Sequence, residues 1–124
     1  MNLRVIVEGD RMTIVAREIG ERCPAGDFLQ HELDDELQRT TALFSVMADL
    51  GQVRDRRKSK ALTDYDDLFE FLPTAEIRFL WCYLPGKRVV LLDAFRKRTM
   101  KSSWIRSRYK AAARLAAEVR NRRG

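Results

Sequence analysis

The sequence predicts a compact α+β fold. It implies an antiparallel or mixed sheet of about four to five strands, with an N-terminal helical hairpin and a C-terminal helix. Three observations predict it. Two apolar runs, Ile77–Leu84 and Val89–Phe95, meet at Leu84-Pro85-Gly86-Lys87, where Pro presets φ and Gly admits positive φ, the chemistry of a hairpin turn. Leu29, Leu33, Leu37, Phe44 and Met47 recur at helical spacing. Ile105, Tyr109, Ala112, Ala116 and Val119 form a second such stripe near the C-terminus.

In chain order, Leu3–Glu8 reads as a strand, and Gly9-Asp10 turns it into another over Met12–Ile19. Residues 20–26, with Pro24, read as a loop. Asp27-Phe28-Leu29-Gln30 has the capping-box form, so a helix is expected to start at Asp27. Asp34 or Asp35 caps a second helix, which Gly51 ends. Arg54-Asp55-Arg56-Arg57-Lys58-Ser59-Lys60, five cations in seven residues, reads as a loop. Leu68–Leu72 adds a strand before Pro73-Thr74. After the hairpin, Arg96-Lys97-Arg98-Thr99-Met100-Lys101 places four cations in six residues where a strand leaves the core. Ser102 or Ser103 then caps the last helix, whose alanines permit close packing. The order is β(β)–α–α–β–β–β–α over one domain, residues 1–124.

With 45% apolar residues the chain can bury a real core. Its net charge of +6 is unevenly placed: residues 1–50 hold five Lys/Arg against ten Asp/Glu, a net −5, and residues 51–124 hold nineteen against eight, a net +11. A basic half favours a polyanionic partner over ordinary solubility charge, because the cations cluster beside strand ends. Cys23 and Cys82 are too few for a disulfide framework and lack zinc-ligand spacing; Cys82 reads as a buried filler. Consecutive acids at 32–36 point to different faces of a helix, so no metal and no other cofactor is expected. No N-terminal basic-then-apolar block marks a signal peptide, and no apolar run approaches the ~20 residues of a membrane span. A cytoplasmic protein without a membrane partner is expected.

Leu68-Phe69-Glu70, Ile77-Arg78-Phe79 and the run Val89–Ser102 carry a resemblance to the HigB-type toxins of the RelE/ParE superfamily, including phage-derived relatives. That family shows a leucine-tyrosine-glutamate strand, an arginine in the next strand, and an apolar strand leading into phenylalanine-x-lysine-lysine-x-x-lysine-threonine-proline. Phe95, Lys97, Arg98, Lys101 and Ser102 fall on this pattern. The resemblance spans roughly residues 27–119, so the strands before Asp27 exceed the minimal family fold. It implies a RelE-like fold and a ribosome-dependent endoribonuclease that cleaves mRNA and is neutralised by a helix-turn-helix antitoxin. Two departures stand out: Leu72 sits where relatives often carry arginine, and Ser102-Ser103 replaces threonine-proline.

RNA supplies its own nucleophile, the 2′-hydroxyl. Cleavage requires removal of that proton, stabilisation of the phosphate's added charge, and protonation of the leaving 5′-oxygen. Arginine serves the second need bidentately, which selects Arg78 and Arg98. Closely packed cations depress one another's pKa, so Lys97 or Lys101 is a candidate acid or base; Tyr65 and Tyr83 are weaker ones. Pure phosphate binding by the lysines, and an ion pair of Arg78 with Glu70 or Glu76, are the alternatives. By strand alternation Arg78 shares a face with Glu76 and Leu80. Arg56, Arg57, Lys58 and Lys60 are expected to join Lys97, Arg98 and Lys101 in one RNA-facing surface, flanked by Arg96. Trp104, beside the basic turn, is the candidate for base stacking, and Trp81 belongs in the core. His31, the sole histidine, lies in an acidic helix and is set aside. The expected function is a metal-independent mRNA interferase acting on the ribosome. The alternatives are a ParE-like gyrase inhibitor and a non-catalytic nucleic-acid-binding phage protein.

Overall fold

The computed structural model describes residues 1–123. Two strands, β1 (Asn2–Glu8) and β2 (Thr13–Glu18), precede helices α1 (Pro24–His31) and α2 (Glu36–Leu50). Four strands follow: β3 (Ser59–Ala61), β4 (Phe69–Phe71), β5 (Ile77–Leu84) and β6 (Arg88–Arg96). A 3-10 turn, Lys97–Thr99, leads into α3 (Ser102–Arg123). The strands form one sheet in the order β1-β2-β6-β5-β4-β3. All neighbours are antiparallel except β2 and β6, whose parallel register runs from Thr13 opposite Arg88 to Ala16 opposite Leu91. The α+β class and mixed sheet are as expected, with six strands in place of four to five. The additional strand is β3. Ser59-Lys60-Ala61 carries no apolar alternation, and it becomes a strand through backbone pairing with Phe69–Phe71 at the sheet edge.

Helices cover both faces of the sheet. Ile14, Ala16, Phe71, Phe79, Trp81, Val89 and Leu91 pack with Ala25, Leu43, Phe44 and Met47 under α1 and α2. Val15, Leu68, Leu80, Cys82, Val90, Leu92 and Phe95 pack with Ala112, Ala116 and Val119 of α3. Double coverage explains why β5 and β6 read as unbroken apolar runs. Each fully buried large apolar side chain contributes about 1.5–3 kcal/mol. The three residues between β5 and β6 are Pro85, Gly86 and Lys87, with Gly86 at φ 81° and Lys87 at φ 56°.

The helix boundaries differ from the expected ones. The first helix begins at Pro24 and not at Asp27, because proline fits the opening turn, where its missing N–H is not needed. Asp27 still acts on the helix start: its carboxylate accepts the Cys23 N–H at 2.9 Å. Neither Asp34 nor Asp35 caps α2 through its side chain; Asp35 is the cap residue without a side-chain bond, and Glu36 accepts the Asp34 N–H at 3.1 Å instead. The buried face of α2 is Thr40, Leu43, Phe44, Met47 and Ala48, while Leu37 is exposed. Gly51 ends α2 in the left-handed region, as expected. At α3 the Lys101 carbonyl accepts the Trp104 and Ile105 N–H groups, so Lys101, not a serine, stands ahead of the first turn. The predicted apolar stripe of α3 is the one that packs on the sheet.

The β1–β2 turn rests directly on α2. The N–H groups of Arg11 and Met12 both donate to the Ala48 carbonyl, at 2.9 and 2.8 Å. Among the described residues, no helix is long and apolar enough to cross a membrane.

Candidate functional site

Strand register decides which polar side chains meet. Lys60 pairs with Glu70, and Glu70 with Leu80. Directly opposed residues share a face, and Leu80 packs on the α3 side. Lys60 and Glu70 are therefore carried to that side, and Arg78, two residues before Leu80, follows by alternation as expected. The β5–β6 pairing continues past the strand end, where the Lys97 N–H donates to the Glu76 carbonyl at 2.7 Å. The result is a cleft of about 380 Å³, lined by Lys60, Tyr65, Glu70, Arg78, Lys97, Arg106 and Tyr109 together with residues of the 62–64 segment.

The floor of this cleft is a buried polar cluster. Glu70 is only 2% exposed and Arg78 8%. Tyr109 donates its hydroxyl to Glu70 Oε2 at 2.8 Å. Arg78 Nε lies 3.8 Å from the same oxygen, and Lys60 Nζ lies 3.6 Å from Oε1. Arg78 Nη1 donates to the carbonyls of Ala75 and Ile77, at 2.8 and 3.1 Å. These bonds fix the guanidinium in one orientation. Burial, reinforced by the bond to Glu70, raises the Tyr109 phenol above its ordinary range, so at neutral pH it remains a donor. Tyr65 stacks on Tyr109 with centroids 6.2 Å apart. Lys97 and Arg106 are exposed at the rim. Four cations from β3, β5, the turn after β6, and α3 thus converge on one carboxylate-anchored cleft, with Asp64 and Glu70 as its acidic lining.

The structure gathers Lys60, Arg78 and Lys97 and separates the other predicted residues from them. Arg98 and Lys101 are exposed outside the cleft lining. Lys101 Nζ sits 5.3 Å from the Trp104 ring centroid, and Trp104 is 55% exposed beside it. Arg57 is held by its neighbour Asp55 at 3.1 Å. Lys58 lines a depression beside α2 with Arg39 and Pro73. Arg56 lines a pocket on the opposite face of the sheet, together with Tyr83. Trp81 is core, as expected.

Residues 27–118 match the family described as Phage derived protein Gp49-like (DUF891). The chain belongs to this family. No curated protein and no solved structure matches it significantly. The family is consistent in general with the toxin-like character that the sequence resemblance implies. The Gp49-like region contains every element of the cleft. The β1–β2 hairpin lies outside it, in keeping with the expectation that these strands exceed the minimal fold.

Within this Gp49-like chain three cleft residues escaped the sequence reading as site candidates: Glu70, Arg106 and Tyr109. Glu70 was visible only as a possible partner of Arg78. Tyr109 belongs to the apolar stripe by spacing, but its hydroxyl end reaches the cleft. Arg106 lies off that stripe, and nothing in the spacing singles it out.

Arg96 has a different destination again. Its Nη1 donates to Glu36 Oε2 at 2.6 Å and its Nη2 to the Glu32 carbonyl at 3.1 Å, tying the end of β6 to the start of α2. The hydrogen bond from Arg96 holds the Glu36 carboxyl down at about 2, against an ordinary value of 4.5. A depressed carboxylate stabilises the fold above its unfolded-state pKa, and that contribution disappears as pH falls towards the folded value. Glu36→Gln is therefore expected to unfold at lower temperature than the parent at pH 7, with the gap closing between pH 4.5 and pH 2. Thermal unfolding over a pH series checks this; a gap that is constant with pH would show that the pair contributes nothing through its charge.

Proposed function

We propose that this Gp49-like chain is the toxin of a type II toxin–antitoxin system. In this reading it is a HigB-type, metal-independent, ribosome-dependent endoribonuclease that cleaves mRNA and arrests translation, and a helix-turn-helix antitoxin neutralises it. The observation that carries this reading is the convergence of Lys60, Arg78, Lys97 and Arg106 on one cleft with a rigid floor. Such a cleft suits a phosphodiester. The rim cations, Lys97 and Arg106, hold the phosphate. Arg78, already oriented by carbonyls and Glu70, offers a fixed positive charge to the oxygens that gain charge in the transition state, a stabilisation that needs no reorganisation. Lys97 is the exposed group positioned to exchange a proton with the 2′-hydroxyl or the leaving oxygen. Tyr109, held protonated, keeps Glu70 in place and donates no proton to the reaction.

The test is single-turnover cleavage of mRNA on programmed ribosomes, alongside mapping of mRNA 5′ ends after induced expression with and without the neighbouring gene. Lys97→Ala, an exposed change, is expected to slow cleavage on the order of a hundredfold with the fold intact. Affinity for single-stranded RNA should fall with salt by about 0.7 logarithmic units per tenfold salt for each phosphate contacted. Lys97→Ala should flatten that slope by one contact. Cleavage by Lys97→Ala at the parent rate, or salt-independent affinity, would remove the cleft from the reaction.

A further inference from the structure

The cleft faces α3, but the basic segment before β3 mostly serves the other side of the sheet. There, past the last turn of α2, the sheet face is left uncovered and forms a pocket of about 510 Å³, a volume within the range of small-molecule sites. Phe69, Trp81 and Tyr83 furnish its wall, and Arg54 and Arg56 its mouth. The aromatic wall is rigid: Trp81 stacks between Phe69 and Phe71, with centroids 4.6 and 4.7 Å apart, and Tyr83 meets Trp81 edge-on at 5.1 Å.

Two features call for an occupant. Tyr83, which lines the pocket, is 38% exposed and leaves aromatic surface open to a ligand. Arg54 and Arg56 carry no ion pair among the described residues, whereas Arg57 between them and β3 is neutralised by Asp55. An aromatic wall and two uncompensated guanidinium groups match two parts of a nucleotide. These are the flat π-face of the base and the phosphate.

We propose that this pocket is a nucleotide-binding site, separate from the cleft. The base lies against Tyr83 and the edge of Phe69, with its phosphate at Arg54 and Arg56. Lys60 and Thr63 line both this pocket and the cleft. Strand β3 is therefore a ridge between them, over which a single strand can pass from one face to the other. Binding in the pocket does not depend on cleavage in the cleft.

Adenosine 5′-monophosphate is the probe, followed by equilibrium dialysis and by the Trp81 indole N–H signal in ¹H–¹⁵N spectra, with Trp104→Phe used to assign it. The nucleotide is expected to bind and to shift the Trp81 signal. The double variant Arg54→Ala/Arg56→Ala, whose changes are at exposed positions, should weaken it about tenfold or more while leaving the unphosphorylated nucleoside unaffected. Three results would overturn the site: no binding, a Trp81 signal unmoved by saturating nucleotide, or binding abolished by Lys97→Ala but untouched in the double variant. The last would assign the nucleotide to the cleft. A pocket that takes an antitoxin segment and refuses the nucleotide would equally sink the proposal.

Discussion

Arg78→Ala is expected to lose about 3–5 kcal/mol of stability, because it leaves Glu70 buried without its arginine. The figure rests on geometry: the pair lies under α3, Glu70 is 2% exposed, and the Arg78 guanidinium also serves the carbonyls of Ala75 and Ile77. Those carbonyls lose this donor, and the carboxylate is left with Tyr109 and Lys60. Domains of ordinary size are stable by only about 5–15 kcal/mol, so the alanine variant should melt far below the parent or fail to fold. Arg78 thus both lines the cleft and holds its floor. Arg78→Lys separates the two roles. It retains a charge that can reach Glu70 and forfeits the planar fork. It should fold, unfold at moderately lower temperature, and cleave RNA on the order of a hundredfold more slowly. Circular dichroism melting and single-turnover cleavage read the two effects apart. An Arg78→Ala protein that melts with the parent would show that Lys60 and Tyr109 alone satisfy Glu70.

Gly9→Ala is the second large change, and it concerns stability alone. A Cβ at Gly9 would lie 2.4 Å from the Ala48 carbonyl carbon and 2.5 Å from its oxygen. Those atoms belong to helix backbone, which also accepts the N–H groups of Arg11 and Met12, so nothing there can swing aside. Overpacking of this kind costs about 1–3 kcal/mol even where side chains can adjust; here the hairpin must lift off α2, and the upper end is expected. At about 3–6 °C per kcal/mol for a chain of this size, the thermal midpoint should fall by roughly ten degrees or more. Gly20→Ala is the control: no atom lies within 4 Å of the added carbon, and the strain is confined to a positive φ of 59°. If the two variants melt together, the contact between turn and helix is not tight.

Much of this architecture was legible because local chemistry dictated it. Pro85-Gly86 fixed the hairpin, Gly51 fixed the end of α2, and the Ile105–Val119 stripe fixed the buried face of α3. What escaped was decided by distant partners. Ser59–Ala61 has no strand signature of its own and pairs because Phe69–Phe71 offers it an edge. The start of α1 turned on Pro24, a residue equally at home in a loop. The candidate site divided in the same way. Alternation placed Arg78 on the correct face, but charge runs do not reveal which cations have partners. Arg96 and Arg57 are committed to Glu36 and Asp55, and Glu70 acquires its place only once β3, β5 and α3 have assembled around it.

The parallel pairing of β2 with β6 joins positions 13 and 88, at opposite ends of most of the chain. During synthesis the N-terminal hairpin emerges long before the strand that receives it. Once β6 pairs with its hairpin partner β5, its other edge stays open until β2 docks. Long-range pairing of this kind is slow, since loop closure must precede the contacts that reward it. Until it is made, β2 and β6 each present unpaired backbone groups. The growing chain therefore exposes a vacant slot in its own sheet, one that another extended segment can fill before β2 docks there.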